Sequence, residues 1–162
     1  LSLHDALPIL SITSIYTSPE KRTIETAKII ADHLKVPINI DERLCERNWG
    51  DWNGKPWEEI KEVLDKKSLS DRYSFIPPNG ESWKHMEKRL QKFLKSVTSA
   101  TTNNVGVVTH GGATRGLMPI LTGKDLSEGL KYDFSNASIT IFEYNNGKFK
   151  DVLINNIDHL SE

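Results

Sequence analysis

The chain has 162 residues with almost balanced charge, since 21 Lys and Arg residues face 22 Asp and Glu residues. This length fits one domain with a core of ordinary size. The net charge of −1 implies no general polyanion partner, so phosphate recognition must be local to a site. No run of about 18 apolar residues is present to span a membrane. The single cysteine, Cys45, excludes an internal disulfide and a cysteine-based metal cluster and favours the cytoplasm.

The first predicted element is a buried strand over Ile12 to Thr17, where β-branched and small residues alternate. A helix is expected to follow, with Ser18 as its N-cap and Pro19 at its first helical position. Its apolar residues recur at helical spacing, at Ile24, Ala27, Ala31 and Leu34. This start predicts that Arg22 lies one turn inside the helix.

The middle of the chain is predicted to hold a short strand, a helix and a long loop. Ile38 to Ile40 read as the strand, after Pro37 ends the first helix. Pro56 begins a second helix, whose apolar residues are Trp57, Ile60 and Leu64. Residues 65–80 are polar and end in Pro77-Pro78-Asn79-Gly80, which indicates a loop.

The remaining elements have clearer sequence patterns. A long amphipathic helix carries an apolar stripe formed by Trp83, Met86, Leu90, Phe93, Leu94 and Val97. Val105 to Thr109 form a strand, and Gly111-Gly112 open a helix that runs to Met118. A hairpin closes the chain, with Asn145-Asn146-Gly147 as its turn between strands at 139–144 and 149–154. Alternating strands and helices indicate an α/β domain with a mostly parallel sheet.

His110 is the first candidate functional residue, because it follows a buried strand and precedes a glycine pair. Ligands gather at the carboxyl ends of strands in open α/β sheets. Helix N-terminal amides attract anions, and glycines such as Gly111 let an anion approach the backbone closely. The alternative is a histidine that only hydrogen-bonds within its own strand-to-helix turn.

Arg22 is the second candidate, because a guanidinium near a helix start can hold two phosphate oxygens in a fork. A solvated surface arginine is the alternative. Glu46 is the third: a carboxyl beside the indoles of Trp49 and Trp52 loses hydration and can donate a proton to a leaving oxygen. A salt bridge from Glu46 to a neighbouring arginine is its alternative, and Glu81 is a competing acid.

Four segments together resemble the histidine phosphatase superfamily, which has the phosphoglycerate-mutase-like fold. They are SPEKRTIETA at 18–27, LCERNWGDWNG at 44–54, PPNGES at 77–82 and VVTHGGATR at 107–115. The resemblance implies a three-layer α/β/α sandwich with a mostly parallel sheet from which the first strand is missing. Residues 12–162 would form an incomplete histidine phosphatase domain, with 55–80 as a cap-like insertion. Residues 1–11 would be an unrelated or poorly ordered segment.

The resemblance also implies roles for the candidate residues. Arg22 binds the phosphoryl group, Glu46 donates the proton and His110 stabilises the transferring group, while Arg22, His110 and Gly111 form the phosphate-binding positions. The family mechanism needs no metal and no other cofactor. A small phosphorylated metabolite is the expected partner, without nucleic acid or membrane.

The nucleophile is the departure from the family. The family uses a histidine in an Arg-His-Gly loop before the Ser-Pro helix, and none of the residues ahead of Ser18 matches that loop. We therefore expect an N-terminally truncated gene product that is inactive as given. Strand edges should be left unpaired over 12–17 or 105–109, so the isolated chain should be unstable, form a homo-oligomer or aggregate. Smaller departures are Glu20 for leucine and Asn53 where a glutamate often stands.

Two other functions stay open. WGDWNG at 49–54 resembles the phosphatases of the family rather than its mutases, which tend to carry Glu-Arg-His-Tyr-Gly, so phosphoglycerate mutase is the alternative within the fold. A phospho-ligand-binding module without catalysis is the alternative outside enzymes.

Overall fold

A computed structural model describes residues 11–160 of the chain. Its elements are β1 (Ser14–Thr17), α1 (Lys21–Leu34), β2 (Ile38–Ile40), α2 (Trp57–Asp65), α3 (Leu69–Ser74), α4 (Trp83–Ala100), β3 (Val105–Val108), α5 (Gly111–Thr122), β4 (Ile139–Asn145) and β5 (Lys148–Asn156). Short 3-10 turns lie at Glu42–Leu44, Gly50–Trp52, Leu126–Lys131 and Asp158–Leu160. Residues 1–10, which hold most of the predicted N-terminal segment, lie outside the described residues.

The central sheet is parallel and has the order β2-β1-β3. Thr17 at the end of β1 pairs with Ile40 of β2 and with Val108 of β3. The carboxyl ends of all three strands therefore meet at one edge, as the α/β prediction requires. This register places the residues that follow β1 beside those that follow β3.

Helices cover both faces of this sheet. Successive residues of a strand point to opposite faces, so β1 packs against a helix on each side. Ile15 of β1 packs on one face against Ala27 and Ala31 of α1. The next residue, Tyr16, packs on the other face, where its ring meets the edge of the Phe93 ring of α4 at 5.5 Å between centroids. The predicted α/β fold with a parallel sheet between helices is confirmed.

The predicted start of the first helix is wrong by two residues. α1 begins at Lys21, its N-cap position is occupied by Glu20, and Glu20 makes no side-chain capping bond. Ser18 cannot cap the helix because its hydroxyl is engaged by Thr23 at 2.6 Å and by His110 at 2.7 Å. Arg22 therefore lies in the first turn of α1 and not one turn further in.

Residues 65–80 are not one continuous loop, because α3 forms within them. Ser68 caps α3 by accepting a hydrogen bond from the backbone N–H of Asp71. Lys61 of α2 and Arg72 of α3 both pair with Asp65. The segment from α2 to α3 is thus held by its own ion pairs and lies against α4 through α3.

The long helix and the hairpin follow the predictions closely. The buried residues of α4 include all of the predicted stripe except Leu94, which is half-buried. In the hairpin turn, Asn146 and Gly147 have φ values of 50° and 79°, the left-handed pair that a tight hairpin requires. The hairpin forms a two-stranded antiparallel sheet of its own among the described strands. No helix in the described part of the chain is both long and apolar enough to cross a bilayer.

The sequence predicts an unpaired edge at β1 or at β3, and among the described strands this edge lies at β3. β1 has a partner on each side. Among the described strands, β3 pairs only with β1, and Val107 in its middle is 38% exposed. The exposed edge therefore lies at the strand that leads to His110.

A buried carboxyl in the core, that of Glu87, should make the stability of the fold depend on pH. Glu87 of α4 is almost fully buried, and the hydroxyl of Tyr73 donates a hydrogen bond to its carboxylate. Burial raises the pKa of Glu87 to about 7 from an ordinary value of 4.5, and the charge of Asp125 adds to the rise, while the Tyr73 hydrogen bond opposes it.

Replacement of Glu87 by glutamine should change how stability depends on pH. Between about pH 4.5 and 7 the folded chain retains a proton that the unfolded chain has released, so the free energy of unfolding falls as pH rises, by about 3 kcal/mol at most. Glutamine cannot ionise, so Glu87→Gln should gain stability relative to the parent across this window. Urea unfolding over the pH range tests this, with the exposed Glu62→Gln as control. Parallel pH curves for Glu87→Gln and the parent would contradict it.

Candidate active site

His110 lies at the edge of the sheet where the carboxyl ends of the strands meet, and it contacts residues that are distant in sequence. Its Nε2 atom lies 2.7 Å from the Ser18 hydroxyl, which follows β1. Its Nδ1 atom accepts hydrogen bonds from the Arg22 guanidinium, at 3.2 Å from Nε and 2.9 Å from Nη2. The histidine therefore does more than complete its own strand-to-helix turn.

These contacts favour a neutral imidazole. Because Nδ1 faces the N–H groups of Arg22, it must accept, and the ring proton is left on Nε2. Burial lowers the pKa of His110, the charge of Glu20 opposes that shift, and the charge of Arg22 adds to it. The neutral ring can donate a hydrogen bond from Nε2–H to an oxygen placed there.

The Ser18 hydroxyl is the hydrogen-bond partner of Nε2, and the carboxylate of Glu20 lies close to the same nitrogen. One of the Glu20 carboxylate oxygens lies 3.2 Å from His110 Nε2, and the other lies 2.5 Å from Nη2 of Arg22. The side chain of Arg22 is nevertheless 65% exposed. A single carboxylate thus bridges the two groups that the sequence predicted would meet around a phosphate.

The carboxylate of Glu46 is oriented by backbone amides. Its two oxygens accept hydrogen bonds from the N–H of Gly112, at 2.9 Å, and from the N–H of Arg47, at 2.7 Å. Gly112 lies in the first turn of α5, so this helix N-terminus binds the protein's own acid. A Cβ at Gly112 would lie 2.1 Å from a Glu46 oxygen, so the close approach depends on glycine. Gly111, the predicted phosphate-binding glycine, has open space at its Cβ position.

Arg47 is a buried structural cation. Its guanidinium stacks 4.1 Å from the centroid of the Trp49 ring and donates hydrogen bonds to the backbone oxygens of Phe75 and Glu81, each at 3.1 Å. Burial lowers its pKa to about 10. The salt bridge considered for Glu46 therefore does not form with Arg47, and Arg43 pairs with Asp41 instead.

Glu81, the competing acid, is held away from proton transfer. Arg89 of α4 binds its carboxylate at 2.6 Å, and the N–H of Asn48 binds it at 3.0 Å. The same guanidinium also donates to the backbone oxygen of Glu46 at 3.1 Å. Arg89 therefore fixes the two acidic segments against α4.

A cavity of about 350 Å³ opens at this edge. The side chains around it are Glu20, Arg22, Glu46, Arg47, Asn48, Trp49 and Asn53. His110 is 7% exposed and lies behind Glu20 and Arg22. The structure thus brings Arg22, Glu46 and His110 into one neighbourhood, with the acid and the arginine facing the same cavity.

Sequence reasoning missed four contributors to this site. Ser18 was assigned to a helix cap, and Glu20 was noted only as a departure from the family pattern. Gly112 was grouped with Gly111 although only Gly112 meets Glu46. The sequence around Arg89 gave no indication of a role in the site, apart from its position three residues after the buried Met86.

The comparisons agree with the fold and the four segments. A model of the histidine phosphatase superfamily, branch 1, matches residues 2–157. The chain therefore belongs to this family.

Three relatives illustrate the similarity. The uncharacterized phosphatase PhoE of Bacillus subtilis is 35% identical over 150 residues, which are 91% of this chain and 72% of PhoE. Phosphoserine phosphatase 1 of Hydrogenobacter thermophilus is 29% identical over 152 residues, 91% of this chain and 72% of that protein. The solved structure of YhfR from Bacillus stearothermophilus has a TM-score of 0.83 at 27% identity and covers 98% of this chain and 81% of YhfR. Phosphoglycerate mutases are also among the relatives.

The glycine pair offers a matched test of the site geometry. Gly112→Ala should displace the Glu46 carboxylate and lower the free energy of unfolding by roughly 1–3 kcal/mol, because the new Cβ overlaps the acid. Gly111→Ala should change it by less than about 0.5 kcal/mol, since nothing lies near that position. Urea unfolding of both variants measures the difference. Equal stability of the two variants would show that Glu46 does not lie against Gly112.

Proposed function

We propose that this site binds the phosphoryl group of a small phosphomonoester and belongs to a metal-independent phosphatase of the cytoplasm. The observation that carries the proposal is the contact between Arg22 and His110, with the Glu20 carboxylate within ion-pair distance of both. A site that holds one oxyanion between a guanidinium and an imidazole can bind a phosphoryl group through the same two side chains.

The arrangement assigns a separate task to each side chain. Arg22 and His110 would bind the phosphoryl oxygens and stabilise charge as it builds up on them. Glu46 faces the cavity that Arg22 also faces and, after taking up a proton from solvent, would give that proton to the leaving oxygen. Gly111 would present backbone to the same anion.

Turnover needs a nucleophile in addition. In the mechanism that family membership implies, a histidine nitrogen of an Arg-His-Gly loop attacks phosphorus while the bond to the leaving oxygen breaks. Water then attacks phosphorus and releases the histidine. The 162 residues contain no Arg-His-Gly sequence. We therefore infer that these residues alone bind phosphomonoesters but do not hydrolyse them.

Phosphoglycerate mutase chemistry is the alternative within the family, and a binding module is the alternative outside it. The segment from Glu46 to Gly50 favours a phosphatase, because Asn48 and Trp49 stand where the mutase pattern has histidine and tyrosine. Asn48, Trp49 and Asn53 give the cavity a wall with two amides and one indole, and no additional lysine or arginine besides Arg22 and Arg47 lines it among the described residues.

Turnover of p-nitrophenyl phosphate tests the proposal. The chain as given should be inactive, and a version extended with a family N-terminal strand and Arg-His-Gly loop should hydrolyse the ester. In the extended protein, Arg22→Ala should lower kcat/KM by about 100-fold or more, because an oxyanion donor is lost.

Lys21→Ala is the matched control, since Lys21 is the neighbouring cation on α1 and is 90% exposed. It should change kcat/KM by less than about twofold. Turnover by the unextended chain would refute the inferred inactivity. A folded but inactive extended protein, or equal effects of the two substitutions, would refute the phosphatase assignment.

A further inference from the structure

We propose that Glu20 is a built-in competitor of the phosphoryl group, an internal carboxylate that occupies the anion position between Arg22 and His110 and must turn away before a phosphomonoester can bind. This proposal rests on the proposed function, because it concerns the same anion position. It adds that the affinity of the site for phosphate is set by a residue that touches neither the leaving group nor the reacting atoms.

The contacts of Glu20 are those of a bound anion. Its oxygens lie 2.5 Å from Arg22 Nη2 and 3.2 Å from His110 Nε2, and the N–H of Glu46 also points to it at 3.4 Å. Polar groups from α1, from the segment after β3 and from the segment after the 3-10 turn at Glu42–Leu44 thus surround one carboxylate. An ordinary surface glutamate pairs with one neighbour, as Glu25 does with Lys21 at 3.8 Å.

The position of Glu20 in the chain explains why it reaches these donors. It occupies the N-cap position of α1 with an extended backbone, φ −74° and ψ 140°, and its side chain makes no capping bond to the helix. The carboxylate is therefore available to the sheet edge rather than to its own helix. It is one-third exposed, so rotation into solvent meets little steric resistance.

The charges around the cavity determine how strongly Glu20 competes with phosphate. Two arginines, Arg22 and Arg47, and two glutamates, Glu20 and Glu46, line the cavity, and the imidazole behind them is neutral. A phosphate dianion that enters this cavity meets no excess positive charge while Glu20 stays in place. When Glu20 turns away, Arg22 Nη2 loses its carboxylate partner and His110 Nε2 keeps the Ser18 hydroxyl. A phosphate oxygen can then take the place of each Glu20 oxygen beside Arg22 and His110.

Binding of inorganic phosphate to the full 162-residue chain tests the competition, measured by isothermal titration calorimetry. Glu20→Gln should bind phosphate about tenfold more tightly than the parent, because the competing charge is gone while the side-chain shape is kept. Glu25→Gln makes the same change in net charge on the same helix and should alter the affinity by less than about twofold. Arg22→Ala added to Glu20→Gln should abolish the gain.

The imidazole of His110 provides a second readout that needs no ligand. The charged groups that act on this ring are Glu20, Arg22, Glu46 and Arg89, and Glu20 is the largest that raises its pKa. Glu20→Gln should therefore lower the pKa of His110 in an NMR titration of the ring protons, and Glu25→Gln should leave it in place.

The outcomes separate this proposal from the function on which it rests. If the parent and both single variants bind phosphate equally and Arg22→Ala abolishes binding, the anion site stands and Glu20 is not a competitor. If no folded variant binds phosphate, the proposed function fails together with this inference. Tighter binding by Glu20→Gln but not by Glu25→Gln, with a lowered His110 pKa, supports it.

Discussion

The site depends on the parallel pairing of β1 with β3. In this register Thr17 lies opposite Val108, so the segments that follow the two strands leave the sheet side by side. Ser18 and His110 are 92 residues apart in sequence and 2.7 Å apart in space. Any slip of the pairing would separate Arg22 from His110, because both side chains are carried by residues within five positions of a strand end.

The same edge explains why the protein's own acids occupy anion positions. Backbone N–H groups at the start of α5, the guanidinium of Arg22 and the ring of His110 all point toward the carboxyl ends of the strands. Such donors are stabilised by an oxyanion. In this structure the Glu46 carboxylate binds Gly112, and the Glu20 carboxylate binds Arg22 and His110. The proposed phosphoryl site therefore contains two carboxylates that are held by the donors around it.

Much of the fold was accessible from sequence because its signals are local. Helical spacing of apolar residues predicted α4, the Asn-Gly pair predicted the hairpin turn, and the β-branched run predicted β3. The short helix α3 was missed although Ser68 and Asp71 form a capping pair, because the nearby prolines indicated a loop. The start of α1 was misplaced because the Ser-Pro pair is a typical helix start, whereas here the serine is bound by His110.

The site was predictable only in part, for a physical reason. Residue types and strand ends indicated Arg22, Glu46 and His110, since each is a chemical group that phosphate chemistry needs at that edge. The functions of Glu20, Gly112 and Arg89 depend on contacts between segments that are 26 to 90 residues apart, about which local spacing carries no information. Glu20 in particular reads as an ordinary helix-start acid until His110 is placed beside it.

A crystal structure of the chain with bound inorganic phosphate tests the central claim most directly. The account predicts a phosphate between the Arg22 guanidinium and His110 Nε2, with the Glu20 carboxylate turned away from both. A phosphate bound elsewhere, with Glu20 still bridging Arg22 and His110, would contradict it.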